Sequence, residues 1–372
     1  LVPGVLPSLK NKEIEIQIEA GAGQLAGYTD SAYEEKGARL LPSRSELFSS
    51  SDVVVQVRTA GANPEAGGAD LGLLRPDQIL IGFAEPLTML ETMKAMAECR
   101  VTCFALELLP RISRAQSMDA LSSMATVSGY KAVLLAADTF SRLFPMMMTA
   151  AGTVIPVRVL VIGTGVAGLQ AIATARRLGA VVEAYDIRPA AKAEVESLGA
   201  RFVELPVETE DAQDAGGYAR AQSEEFYEKQ QELLGNAVAG KNILITTAAV
   251  PGKKAPVLVT EEMVSAMEPG SVIVDLAAER GGNCALTAPG QTVEKNGVII
   301  LGPVNLPSEV PYTASQLYAQ NIANFLLSMI QDGSIQVDME DEITRETLVT
   351  RGGEIVNPRV REALGLPAQS GE

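Results

Sequence analysis

The stretch from Arg158 to Asp186 constrains this chain more than any other. Arg158-Val159-Leu160-Val161-Ile162 is an apolar run that breaks at Gly163-Thr164-Gly165-Val166-Ala167-Gly168. It then passes into a helical pattern (Ala171, Ile172, Ala175, Leu178), and a second apolar run ends at Tyr185-Asp186. The apolar period switches from strand to helix and back, so the segment reads as one strand, turn, helix and strand unit.

The glycines have separate physical jobs. Gly163 permits the tight turn, Gly165 lets the backbone approach a pyrophosphate, and Gly168 lets the helix pack close to the strand. Val166 and Ala167 open the helix, whose N-terminal N–H groups and dipole favour negative charge. Asp186 ends the second strand, 18 residues after Gly168. A carboxylate there accepts from both hydroxyls of an adenosine ribose and repels a 2′-phosphate, so the unit is expected to bind NAD rather than NADP. A flexible glycine turn is the bland alternative; the flanking strand, helix and acid argue against it.

The chain has 372 residues, enough for two domains with substantial cores, and is 47% hydrophobic and 20% charged. Its net charge of −16 argues against nucleic acid as a partner and against adhesion to an anionic membrane by charge alone. Cys99, Cys103 and Cys284 cannot form a closed disulfide set, which fits a reducing, cytosolic setting, and no metal site is expected. Histidine is absent, so any acid or base must be a carboxylate, lysine, tyrosine or water. No apolar run approaches the roughly 20 residues that span a bilayer. The chain opens on Leu1 with no signal segment, and the natural start is expected upstream.

In chain order, the first region reads as an alternating strand Glu13–Glu19, a glycine turn at Gly21–Gly23 and a helix at Ser31–Lys36. Strands Val53–Val57, Ile79–Phe83 and Val101–Ala105 follow, with a helix Thr88–Glu98 between the last two. A long helix over Met118–Ala137 leads into six strands: Arg158–Ile162, Val181–Tyr185, Arg201–Val203, Asn242–Thr246, Ser271–Asp275 and Val298–Leu301. That count matches a doubly wound sheet, whose ligands bind beyond the carboxyl ends of the strands. Glu208–Gly217, which leads to Tyr218, reads either as a mobile flap or as a solvated surface loop. An apolar helix Ala314–Met329 closes the core, and Ile335–Pro367 reads as a polar tail carrying a small hairpin that turns at Gly352-Gly353. The expected domains are 1–125 with 312–372, lacking its first strand, and 126–311.

A second polar constellation lies at Arg111, Gln116, Asp119 and Ser122. Loop residues with Asp119 stabilising a helix start would look the same. Placed after a buried strand, however, they offer donors and acceptors suited to a nicotinamide carboxamide.

Pro110-Arg111-Ile112-Ser113-Arg114-Ala115-Gln116, Asp119-Ala120-Leu121-Ser122-Ser123, Gly163-Thr164-Gly165-Val166-Ala167-Gly168-Leu169, Pro251-Gly252-Lys253-Lys254-Ala255-Pro256 and Val274-Asp275-Leu276-Ala277-Ala278-Glu279 occur in this order. Together they resemble the NAD(H)-binding alpha subunit of proton-translocating NAD(P) transhydrogenases, over about Val2 to Leu366. The resemblance implies an α/β fold of two Rossmann-like domains with parallel sheets separated by a cleft, NAD in the second domain, and a homodimer. It also implies an enzyme passing hydride between NADH here and NADP(H) on a partner component, with a membrane-spanning component coupling the transfer to proton translocation. The chain would then lie on the cytoplasmic or matrix-like face of the membrane, held there by its partners.

On the same resemblance Arg111, Asp119 and Ser122 hold the nicotinamide end, and Gln116 lies at the junction with the second nucleotide. Val166, Asp186 and Arg188 contact the pyrophosphate and adenosine side, Ala249 lies near the nicotinamide-side loop, and Tyr218 sits on a loop that closes over NADH. Alanine dehydrogenases are the sister family. They use a lysine and a histidine on the keto acid; Gln56 stands in the lysine's place, histidine is absent, and Glu279 stands where they have an aspartate. A silent NADH-binding module is the remaining alternative, and Arg111, Gln116, Asp119 and Ser122 together speak against it. Two departures from the family pattern are the missing N-terminal strand, which should leave an exposed sheet edge, and the turn Gly302-Pro303-Val304-Asn305.

Overall fold

A computed structural model of the chain describes residues 1–205, 224–249, 254–331 and 333–367. It divides into two compact units, Leu1–Met124 with Pro311–Glu372, and Ala125–Val310.

The first unit is built on a five-stranded sheet in the order Glu354–Ile355, Leu348–Arg351, Thr102–Ala105, Ile79–Phe83, Val53–Arg58. The last three strands run parallel. Alternation sorts their side chains to two faces. Ile81, Phe104 and Leu348 pack with Phe325 and Ile322 of the helix Pro311–Met329, Phe104 meeting Phe325 edge-on at 5.7 Å between ring centroids. Leu80, Cys103 and Val349 pack with Met93, Met96 and Ala97 of the helix Leu90–Glu98. Burial on both faces explains why these strands read as unbroken apolar runs.

Two expectations for this unit need correction. The segment from Glu13 is not one alternating strand: Glu13 takes a left-handed turn (φ 61°) after the short helix Leu6–Lys10, and only Gln17–Glu19 is extended. Leu6 and Leu9, buried three residues apart, impose the helical period first. Gln17–Glu19 pairs in parallel with Arg39–Leu41 as a separate two-stranded sheet. The polar tail, in turn, is part of the core. Its hairpin extends the main sheet through antiparallel pairing of Leu348–Arg351 with Thr102–Ala105, and Ile343, Leu348, Val349 and Val360 are buried.

The second unit carries a seven-stranded sheet: Arg201–Phe202, Val181–Tyr185, Arg158–Ile162, Ile243–Thr246, Val272–Asp275, Val298–Leu301, Thr292–Lys295. The first six are parallel. The seventh, an antiparallel edge strand, was not foreseen, because its alternating polar residues Thr292-Val293-Glu294-Lys295 resemble a loop. Its turn is Asn296-Gly297, both at positive φ, the pair a tight two-residue hairpin demands. Val159 and Val161 face Ala171, Ile172 and Ala175 with Ala132, Val133 and Ala136, whereas Leu160 and Ile162 face Leu234, Val238 and Val264.

Strand order reverses between Arg158–Ile162 and Ile243–Thr246, so the switch point, where such sheets take ligands, lies at their carboxyl ends. The helix Ala120–Thr139 is long and apolar enough to cross a membrane by length and composition alone, although Ser122, Ser123, Ser128, Lys131 and Asp138 interrupt its apolar residues. Here Ala132, Val133 and Ala136 lie in the second unit's core. A separate hairpin, Met147–Thr149 against Gly152–Val154, exposes Met148 (82%) and is followed by exposed Ile155 (81%).

Candidate functional site

The glycine turn sits at the switch point of the second unit. Gly163 N–H donates to the Tyr185 carbonyl at 2.8 Å, and Gly163 has φ +90°. Across the switch, Thr247 N–H donates to the Ile162 carbonyl and its hydroxyl to the Gly163 carbonyl, at 2.8 and 2.9 Å. A Cβ on Gly163 would meet Thr247 Oγ1 at 2.8 Å, and one on Gly168 would lie 2.0 Å from the Gly163 carbonyl oxygen. Gly165 differs from both. A Cβ there would meet nothing within 4 Å, so the protein itself leaves that place open. The helix Val166–Arg177 starts at that point with no side chain capping its first turn. An open place beside a helix N-terminus fits an anionic group such as a pyrophosphate. Ala167 opens the helix against Gly129 of Ala120–Thr139, whose added Cβ would lie 2.1 Å from the Ala167 carbonyl oxygen. That close approach fixes the helix start.

Asp186 is buried, and its carboxylate is already occupied. Oδ2 accepts from Thr164 N–H (2.7 Å), Thr164 Oγ1 (2.9 Å) and Arg188 Nη2 (3.0 Å), and Oδ1 from Arg188 N–H (2.8 Å) and Nε (2.9 Å). Burial pushes the carboxyl up, but the Arg188 hydrogen bonds and charge, with the backbone N–H groups of Arg188 and Thr164, hold it below the ordinary range. A carboxylate offers about four acceptor positions. A ribose diol therefore reaches Asp186 only by displacing the Arg188 guanidinium, which the sequence did not reveal. Asp186 also ties Thr164 into the turn, so it organises the turn itself.

In the first unit Arg111 and Gln116 are exposed; Gln116 lies in the 3-10 turn Ser113–Met118, and Arg111 just ahead of it. The helix Pro311–Met329 anchors the turn, with the Asn321 and Asn324 side-chain amides both donating to the Ser117 carbonyl, at 3.0 and 2.9 Å. Arg114 pairs with Asp341. Asp119 and Ser122 are brought together at the start of Ala120–Thr139: Ser122 N–H donates to Asp119 Oδ1 at 2.8 Å and its hydroxyl to Oδ2. That is helix capping, the structural role weighed against the binding one. Ala249, three residues beyond the Ile243–Thr246 strand, is exposed. Tyr218, the Glu208–Gly217 loop and Pro251-Gly252-Lys253 lie outside the described residues. Thr164 and Thr247 were missed; a small hydroxyl residue within two positions of the end of a buried strand was the available signal. Glu279, standing where the sister family has an aspartate, accepts from Asn305 N–H at 2.8 Å and supports the left-handed turn there (φ 50°).

Two family models match: alanine dehydrogenase/PNT, N-terminal domain, over residues 1–128, and alanine dehydrogenase/PNT, C-terminal domain, over 132–358. An NAD(P) transhydrogenase alpha-subunit chain from Rhodospirillum rubrum is 48% identical over 359 residues, 96% of this chain and 93% of that protein. Its Rickettsia prowazekii counterpart is 42% identical, covering 97% and 93%. A crystal structure of transhydrogenase from Sinorhizobium meliloti aligns with a TM-score of 0.83 at 43% identity, over 95% of this chain and 94% of that one. An L-alanine dehydrogenase structure aligns at 0.79 and 25% identity, over 98% and 94%. The chain belongs to the alanine dehydrogenase/PNT family, and within it to the NAD(P) transhydrogenase alpha subunits.

Proposed function

We propose that this chain is the NAD(H)-binding component of a proton-translocating transhydrogenase. It passes hydride directly between NADH bound here and NADP+ bound on a partner component, and a membrane-spanning component couples the transfer to proton movement. The observation that carries the reading is the open Gly165 position at the switch point, beside an uncapped helix N-terminus and a buried carboxylate.

On this reading the cofactor supplies the hydride, and the chain supplies binding and orientation. Gly163, Gly165, Val166, Ala167 and Gly168 seat the pyrophosphate, and Asp186 with Arg188 holds the adenosine ribose. Arg111, Asp119 and Ser122 hold the nicotinamide end, Ala249 lies near it, and Gln116 meets the second nucleotide. Direct transfer needs the two rings oriented with reacting carbons roughly 3 to 3.5 Å apart, and it needs water excluded. It moves no proton to a substrate oxygen, so a chain without histidine is equal to it.

Amino-acid oxidation is disfavoured by the first unit's chemistry. Gln56 Nε2 donates to buried Asp70 at 2.7 Å, and Arg44 grips the same carboxylate through Nε and Nη2, so both groups are committed away from a substrate carboxylate.

A homodimer attached to the membrane through its partners completes the reading. The exposed Met148 and Ile155 supply apolar surface that a second copy would cover, and Met148→Lys should then yield monomers in sedimentation; dimers unchanged by it would remove the hairpin from the interface.

The decisive experiment is single-turnover transfer from this chain, loaded with NADH, to an NADP analogue on an isolated NADP(H)-binding component. Rapid transfer requiring both proteins is expected; tight NADH binding without transfer would favour a regulatory module.

A further inference from the structure

Asn283 is fully buried in the loop that follows the Val272–Asp275 strand. Asp275 Oδ2 accepts from Asn283 N–H (2.7 Å), Cys284 N–H (3.0 Å) and the Thr287 hydroxyl (2.6 Å), and Oδ1 from Ala277 N–H (3.0 Å). The Asn283 carbonyl accepts from the Leu258 and Val259 N–H groups at 2.8 and 2.9 Å. Its backbone is thereby fixed on both sides.

The carboxamide so held faces Ala248. Oδ1 accepts from Ala248 N–H at 2.9 Å, and Nδ2 donates to the carbonyls of Ala248 and Pro256, each at 2.8 Å. One side chain thus grips both the N–H and the C=O of a single residue, as a neighbouring strand would. Ala248 stands between Thr247, whose hydroxyl holds the Gly163 carbonyl, and Ala249. The strand pairing ends at Thr246, so beyond it Asn283 supplies the lateral hydrogen bonds that the sheet no longer does.

We propose that Asn283 is a positioning residue for hydride transfer: by gripping Ala248 it sets the orientation of the segment leading to Ala249, the wall of the switch point on the nicotinamide side. The assignment rests on the NAD(H) reading above. Asn283 touches no reacting group and acts through Ala248.

The test uses the full chain with its NADP(H)-binding partner component and compares Asn283→Asp with the parent. An ionised carboxylate at this position presents an oxygen to the two carbonyls that Nδ2 served, so the grip is lost at alkaline pH. The protonated acid regains a donor. Among the described residues the titratable groups near it are Asp275, which accepts from the backbone of the same residue, Cys284, whose N–H donates to that carboxylate, and Lys254, whose stem lies against Gly281. Burial and Asp275 together carry the titration above the ordinary carboxylate range.

At pH 8 the transfer rate is expected to fall by about 10- to 100-fold, the scale of a misplacement near one ångström. NADH affinity, followed by cofactor fluorescence, should stay within about threefold. Lowering the pH should restore the rate along a one-proton curve that the parent lacks. Asn283→Ala should lose rate with no such recovery. Parental rates in both variants would overturn the proposal, and so would equal losses of NADH affinity and rate with no acid recovery, since a merely structural role predicts those. If Asn283→Asp does not fold at pH 8, Asn283→Ser decides: it keeps one donor, and a rate between those of parent and alanine variant is expected, a rate equal to the alanine variant's being the refutation. A parent chain that neither binds NADH nor transfers would instead sink the NAD(H) reading, and the proposal with it.

Discussion

Replacing Glu107 with glutamine should remove a specific part of the chain's pH dependence. Glu107 follows the Thr102–Ala105 strand; its Oε1 accepts from the N–H groups of Ala84 and Glu85 at 2.7 and 2.8 Å, and its Oε2 is buried with no partner among the described residues. Burial outweighs the backbone N–H groups of Glu85, Glu107 and Ala84, and the Glu85 charge adds to it, so the carboxyl is pushed up from 4.5 to about 7. Below pH 4.5 the group is protonated in folded and unfolded chains alike and adds no penalty. Between 4.5 and 7 the unfolded chain releases the proton that the folded chain keeps, so stability falls as pH rises. Above 7 the full penalty of a buried charge is present. A shift of that size corresponds to about 3 kcal/mol.

Glutamine keeps the acceptor for Ala84 and Glu85 and cannot ionise. Urea unfolding of parent and Glu107→Gln, followed by circular dichroism from pH 4.5 to 8, should show the variant gaining about 3 kcal/mol on the parent over that interval. A constant offset from the amide's unmatched N–H group leaves the reasoning intact. Parallel pH profiles would refute it, since the carboxyl would then titrate alike in both states.

The glycines of the turn should separate by role. Gly163→Ala and Gly168→Ala each run into neighbouring atoms and should lose about 2 kcal/mol of stability. Gly165→Ala should melt with the parent yet bind NADH at least about tenfold more weakly in fluorescence titration; unchanged affinity would remove the pyrophosphate from this turn. Asp186→Asn leaves half-buried Arg188 without its counter-charge and loosens Thr164, so a loss of about 3 kcal/mol on denaturant titration and weaker NADH binding are expected together. Gln116→Asn, on an exposed turn, should spare stability and NADH affinity but slow transfer to the partner component in single-turnover kinetics; equal loss of binding would dismiss its assigned place.

Local order was legible where one residue type settles one local conformation. The strands Ile79–Phe83 and Val298–Leu301, and Arg158–Ile162 after its first residue, were readable because burial on both faces writes them as apolar runs between glycines and polar residues. The edge strand Thr292–Lys295, half solvated, carries no such run, and only its Asn-Gly turn betrayed it.

The candidate site divides in the same way. The spacing of Gly163, Gly165 and Gly168 and the acid at Asp186 determined by themselves that the second unit carries a tight glycine turn opening a helix with a carboxylate near it, because those constraints act within one strand, turn and helix. Which groups face one another was decided only by the tertiary structure. Thr164 closes on Asp186 from 22 residues away, Thr247 braces the turn from 84 residues away, Asn283 grips Ala248 from a distant loop, and residues 348–351 pair with a strand some 250 residues earlier. Such contacts depend on strand order and on the burial that drives it, and no local pattern encodes either.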